Sequence, residues 1–108
     1  MKISILNLAP LRQGQNFKDA IEAMVKLAKK ADELGYERYW IAEHHNTKSV
    51  ASSATQLLIQ RTLDNTKNIR VGSGGVMLPN HSPYIVAEQY GTLETLYPGR
   101  VDLGLGRA

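Results

Sequence analysis

Residues 38–45 read Arg-Tyr-Trp-Ile-Ala-Glu-His-His. Arg38 to Ala42 is a short strand, and it runs directly into a carboxylate and two imidazoles. Upstream the pattern changes to a period of 3.6: Phe17, Ala20, Ile21, Met24, Leu27, Ala28, Ala31 and Leu34 share one helical face. Asn16 is placed to cap that helix, and Gly35 stands where a left-handed C-terminal residue belongs. Before it lie a polar loop, Leu11 to Asn16, and an apolar stretch, Ile3 to Leu8, short enough for a strand buried on both faces. Downstream, a polar loop runs through Ser49. Ser53-Ala-Thr-Gln56 then reads as a capping box opening a helix through Leu57, Leu58 and Leu63, which Lys67-Asn68 ends. Ile69 to Met77 is a third strand that contains Gly72, Gly74 and Gly75. Ser82-Pro83 starts a third helix, a capping hydroxyl followed by a proline whose missing N–H costs nothing there. That helix buries Val86, Ala87, Tyr90, Leu93 and Tyr97 and stops at Pro98-Gly99. Val101 to Leu105 is a fourth strand.

The strands therefore begin near residues 3, 38, 69 and 101, with a helix between each pair. This is the spacing of βα units, whose right-handed crossovers make adjacent strands parallel. An α/β fold, βαβαβαβ, follows, either as an open doubly wound sheet or as part of a (β/α)8 barrel. A full barrel takes roughly 250 residues, more than twice the 108 present. Asn7, Glu43-His44-His45, Gly74-Gly75 and Arg107 all fall at or near the C-terminal ends of strands, where both architectures build their sites. An open sheet that binds a nucleotide or phosphate should carry a glycine fingerprint leading into a helix. Gly72-Ser-Gly74-Gly75 lacks the third glycine, Met77 standing in its place, and Gly104-Leu-Gly106 has no helix after it.

Composition narrows the function classes. With 108 residues, 43% hydrophobic, 21% charged and a net charge of +3, the chain suits one folded domain. It has no cysteine, which excludes disulfides, thiolate nucleophiles and cysteine-ligated metals. No apolar run approaches the roughly 18 residues of a membrane helix. Lys18, Lys26, Lys29 and Lys30 alternate with Asp19, Glu22, Asp32 and Glu33, which makes a solvated helix face and not a phosphate-binding stripe. Neither nucleic acid nor membrane is expected as a partner, and a cytoplasmic location is the default.

Three groups carry the chemistry. Successive side chains of an extended chain point to opposite faces, so His44 and His45 do not converge on one ion and no metal is expected. One imidazole instead faces the barrel mouth and handles protons near neutral pH, while the other faces outward toward a carboxylate such as Glu88. Gly74-Gly75 inside an apolar strand implies either a bulge or a close backbone approach to a flat ligand. Arg107, among small neighbours, suits a bidentate grip on a phosphate or carboxylate.

Tyr39-Trp-Ile-Ala-Glu-His-His45, Gly72-Ser-Gly-Gly-Val-Met-Leu-Pro79 and Tyr97-Pro-Gly-Arg-Val-Asp-Leu-Gly-Leu-Gly-Arg107 closely resemble the luciferase-like flavin monooxygenases, in register from Met1 to Ala108. The resemblance implies that residues 1–108 form the N-terminal half of a (β/α)8 barrel that uses reduced FMN, or a deazaflavin in some branches. It implies a separate flavin reductase, dioxygen, a small organic substrate and a two-fold dimer. Carried over by position, His44 handles a proton beside the flavin, Gly74-Gly75 is a non-proline cis peptide or bulge against its ring, and Arg107 meets its phosphate. His45 and Glu88 resemble a pair at the dimer contact. The family's barrel has four further strands, so this chain alone offers one wall of the flavin site. Its two outer strands and inner face are expected to be open, favouring assembly of at least two chains. A non-catalytic oligomeric half-barrel is the alternative, and a small open-sheet nucleotide or phosphate binder a more distant one.

Overall fold

The computed structural model describes residues 1–107. Its elements are β1 (Ser4–Asn7), α1 (Phe17–Glu33), β2 (Arg38–Ile41), α2 (Thr55–Asp64), β3 (Arg70–Ser73), β4 (Val76–Met77), a 3-10 turn (Leu78–Asn80), α3 (Pro83–Leu96), β5 (Val101–Asp102) and β6 (Leu105–Gly106). Four strands make one parallel sheet in the order β1-β2-β3-β5. Ser4, Arg38 and Arg70 lie in register across it, as do Tyr39, Val71 and Val101. Each unit thus neighbours the one before it and the strand order never reverses. With right-handed crossovers, that progression lays every helix on the same face of the sheet. Accordingly α1 packs on α2, and α2 on α3. An open sheet with helices on both faces needs a reversal, and none occurs here.

Side-chain alternation along the strands then decides what is buried. Tyr39, Ile41 and Val71 point toward the helices and are fully buried against Met24, Ala28, Ile59 and Leu63. The Tyr39 hydroxyl donates to the Met24 carbonyl at 2.9 Å, which joins β2 to the middle of α1. The opposite face is open. Leu6 there is 56% exposed, and Arg38, Trp40, Arg70 and Asp102 are only half-buried. The expectation that the first strand is buried on both faces therefore fails, because β1 has a helix layer on one side alone.

α1 begins as the sequence predicts. Asn16 Oδ1 accepts from the Asp19 N–H at 2.8 Å, and Asp19 Oδ2 accepts from the Asn16 N–H at 3.1 Å. Gly35 follows with φ of +79°. The buried stripe is narrower than predicted, holding Ala20, Met24, Val25, Ala28 and Ala31 while Phe17, Leu27 and Leu34 are exposed. Near its end, Asp32 accepts from three successive N–H groups of Lys67, Asn68 and Ile69, at 2.7, 3.1 and 2.8 Å. Burial raises this carboxyl, but those three donors and Arg100 outweigh it and hold it below the usual aspartate range.

The two other predicted caps differ. α2 starts at Thr55 with Ala54, which has no side-chain oxygen, at the capping position, so the predicted capping Ser53 lies one residue too early; the Thr55 hydroxyl donates to the buried Ala42 carbonyl at 3.0 Å. Ser82 precedes Pro83 as expected, yet its hydroxyl makes no capping bond. Along α3, Val86, Tyr90 and Leu93 are buried as predicted, whereas Ala87 is exposed and Tyr97 half-buried. Among the described residues no helix is long and apolar enough to cross a membrane.

The third and fourth strands, each read as continuous, are both interrupted. β3 ends at Ser73, the Gly74–Gly75 peptide is cis, and Val76–Met77 then pairs with Leu105–Gly106 as a separate two-stranded ladder. Ser73 joins the two ladders: its hydroxyl donates to the Gly104 carbonyl at 2.9 Å and accepts from the Gly104 N–H at 3.1 Å.

Candidate active site

Functional side chains gather where the strands end, because the backbone there leaves the ladder and its side chains are free of the core. The β2 exit carries Glu43, His44 and His45, and alternation separates them as the sequence predicts. Glu43 turns inward and is 2% exposed. Its Oε2 meets His45 Nε2 at 2.6 Å, and both its oxygens meet His81 Nε2, at 3.0 and 2.9 Å. The Met77 N–H adds a third donor at 3.3 Å. Burial pushes the Glu43 carboxyl up, but the bonds from His45, His81 and Met77 outweigh burial and keep it below the usual glutamate range. Glu43 is thereby ionised at neutral pH and ties the loop after β2 to the segment around β4.

The carboxylate that His45 meets within its own chain is thus Glu43. Glu88 lies exposed on α3, along an apolar groove between α2 and α3 that includes Leu57, Ile85 and Leu96. His44 points the other way, into a groove of about 650 Å³ with Phe17, Ile21, Lys48, Val50 and Leu57. Gly74, Gly75 and Arg107 do not line that groove. The structure therefore separates His44 from the other three residues on which the sequence reading converged.

Gly74 and Gly75 instead pack against β2 and the β5–β6 turn. The Gly74 N–H donates to the Ile41 carbonyl at 2.8 Å, and the Val76 N–H to the Gly104 carbonyl at 2.8 Å, so the glycine pair bridges β2 to the β5–β6 turn. A Cβ at Gly75 would stand 3.0 Å from the Gly104 oxygen, and one at Gly74 would stand 3.1 Å from Trp40 Cβ. At both positions a side chain would force its neighbours to yield by a few tenths of an ångström. Arg107 follows β6 directly, is exposed, and makes no ion pair among the described residues. The resulting rim is bare backbone at Gly74, Gly75, Gly104 and Gly106, with Trp40 and Leu6 below it on the open face and a cation at its edge.

Deeper on the same face, Asp102 holds two guanidinium groups. Arg70 reaches it bidentately at 2.9 and 2.8 Å, and Arg38 Nε at 3.1 Å. The Arg70 bonds are the main cause holding the Asp102 carboxyl below its ordinary value; burial opposes them and Arg38 adds to them. Sequence reading missed this cluster, Ser73, and the role of Glu43 as a hub. Arg38 and Arg70 in matching positions of consecutive strands were a signal for the first, and the same-side spacing of Glu43 and His45 for the last.

Known proteins share this geometry. A luciferase-like monooxygenase of Escherichia coli strain K12 is 56% identical over 105 residues, 97% of this chain and 31% of that protein. The crystal structure of apo-MsnO8 superposes with a TM-score of 0.97 at 48% identity, over 99% of this chain and 32% of that one. The oxygenating constituent of 3,6-diketocamphane monooxygenase from Pseudomonas putida, a type II Baeyer–Villiger enzyme solved with FMN, matches at TM-score 0.92 and 27% identity, over 100% of this chain and 30% of that one. An F420-dependent secondary alcohol dehydrogenase matches at TM-score 0.70 and 28% identity, over 98% of this chain and 32% of that one. The chain spans about a third of the length of the curated relatives it matches. Its four sheet strands correspond to a contiguous part of the barrel in these structures. The family model for luciferase-like monooxygenases matches residues 1–108, and the chain belongs to that family.

Proposed function

We propose that this chain supplies the N-terminal wall of a flavin-dependent monooxygenase site, taking reduced FMN, with a deazaflavin as the alternative, and acting with dioxygen on a small organic substrate. The observation that carries the reading is the match over the whole chain to a structure that holds FMN. The residues present fit a flavin: Gly74 is exposed and carries no side chain to block a planar ring, and Arg107 is an exposed cation for a phosphate. When bound, the reduced flavin supplies the two electrons that let dioxygen deliver one oxygen atom to the substrate. This chain's residues do the rest by position. Arg107 binds the phosphate, the Gly74–Gly75 backbone and Trp40 set the depth at which the ring rests, and His44 accepts or returns a proton at an imidazole nitrogen. The last role needs His44 to turn from its groove toward the rim, a rotation its exposure permits.

That β1 and β5 each have one neighbour and the inner face is open supports an assembly as the proposed working unit. Two copies are proposed to meet near His45 and Glu88, with a separate reductase as the source of reduced flavin. Anaerobic titration with reduced FMN, followed by flavin absorbance and by quenching of Trp40, the chain's one tryptophan, tests the proposal. Saturable binding that weakens at least about tenfold in Arg107→Ala is expected, the scale of one lost charge-assisted contact. His44→Ala should bind flavin as before and lose turnover. A chain that binds no reduced flavin or deazaflavin at any concentration tested is the non-catalytic half-barrel instead.

A further inference from the structure

We propose that Glu43, His45 and His81 form a site for one divalent transition-metal ion of the zinc class. The three side chains come from two separate loops and present one donor atom each, all within 4.8 Å of one another. Two imidazoles and one carboxylate are the protein ligands of zinc sites that keep a fourth position open. Both imidazoles approach through Nε2, leaving Nδ1 to hold the proton that a ligating tautomer requires. Ion binding would move each neutral imidazole's proton from Nε2 to Nδ1 and place the lone pair on the metal.

The distances fit a small adjustment. Ligand atoms about 2.1 Å from a tetrahedral ion lie roughly 3.4 Å apart. The contacts of the Glu43 oxygen with His45 and His81, 2.6 and 2.9 Å, must therefore open by less than about 1 Å, and the two imidazole nitrogens already lie within 4.8 Å of each other. His45 and His81, with side chains 43% and 26% exposed, have room to do so, while the Glu43 side chain, 1% exposed, is a fixed anchor. Without thiolate, the donor set favours zinc, cobalt or nickel over copper(I). His44 takes no part, since alternation turns it to the other face. The ion would clip the loop after β2 to the segment ahead of α3, a structural role independent of flavin binding.

The test uses the full chain after treatment with a chelator. Calorimetric titration with zinc chloride, and cobalt chloride followed by visible absorption, should each show one ion per chain, with zinc displacing cobalt and raising the unfolding temperature. His45→Gln and His81→Gln should each weaken uptake by at least about 100-fold, the upper end of what losing even an outer-shell partner costs. Far-UV circular dichroism of each variant confirms that the loss is local. His44→Gln should bind zinc as the parent does. The absence of saturable one-to-one uptake would reduce the cluster to a hydrogen-bonded clamp and overturn the proposal. Uptake that survives His81→Gln, or that His44→Gln abolishes, would overturn it equally.

Discussion

Replacing Asp102 by Asn keeps the shape of the side chain on β5 and removes the charge that faces Arg38 and Arg70. Three hydrogen bonds are affected: two from Arg70, at 2.9 and 2.8 Å, and one from Arg38, at 3.1 Å. A shielded charge-assisted bond is worth about 1.5–3 kcal/mol, but the Arg38, Arg70 and Asp102 side chains are 36%, 31% and 20% exposed, so solvent screens part of this. The Arg70 pair then contributes about 1–2 kcal/mol and the Arg38 contact about 0.5 kcal/mol. Asparagine retains one acceptor oxygen, which leaves an expected loss of about 1–2 kcal/mol. With a urea m-value of about 2 kcal/mol/M, the unfolding midpoint falls by about 0.5–1 M. The pH dependence gives the second arm. The folded pKa of Asp102 is depressed, so its contribution is complete above the unfolded value of about 3.9 and is lost as pH falls through the folded value. Urea midpoints of parent and Asp102→Asn should therefore differ most at pH 7, begin to approach each other near the unfolded value of about 3.9, and converge only as pH falls through the depressed folded value. Equal midpoints at pH 7, or a gap that stays constant as the carboxyl protonates, would refute this account of the cluster.

Four further substitutions separate kinds of contact. Gly104→Ala places a Cβ 2.2 Å from the Ser73 carbonyl oxygen, a backbone atom that cannot swing away; chemical denaturation should show a loss of about 3 kcal/mol or more. Tyr39→Phe removes a buried hydroxyl that donates to the Met24 carbonyl and should cost about 1–2 kcal/mol. Tyr90→Phe should instead be neutral within about 0.5 kcal/mol, because the Tyr90 hydroxyl is buried with no hydrogen-bond partner among the described residues. Asn16→Ala breaks both bonds of the α1 capping box and should lower stability by about 1 kcal/mol, read as a drop in thermal midpoint.

The units themselves were legible because each helix and strand has its own local signal. α1 is the clearest example: the apolar period, Asn16 and Gly35 all point to the same boundaries, and the structure places them there. The caps of α2 and α3 were not legible: Ser53 falls one residue ahead of the capping position, which Ala54 takes, and the Ser82 hydroxyl makes no capping bond. The breaks in the third and fourth strands were signalled by Gly74, Gly75, Gly104 and Gly106. Their cause, the same two strands resuming their pairing as a second ladder above Ser73, depends on residues 31 positions apart in sequence. At the site, alternation correctly set His44 against His45. It could not reveal that Glu43 collects His81 from 38 residues away, because nothing local to His81 announces a partner.

The Ser73 hydroxyl has a consequence for anyone who would re-engineer this scaffold. Since one oxygen both gives to and takes from Gly104, the rim loops of the third and fourth units cannot be swapped singly. Transplanting either loop from a relative without its mate would tear that double latch and leave Arg107 aimed at a different height. The two segments behave as a single cassette, and recombination breakpoints that respect it belong at the base of the sheet, near Arg70 and Arg100, where ordinary ladder pairing resumes.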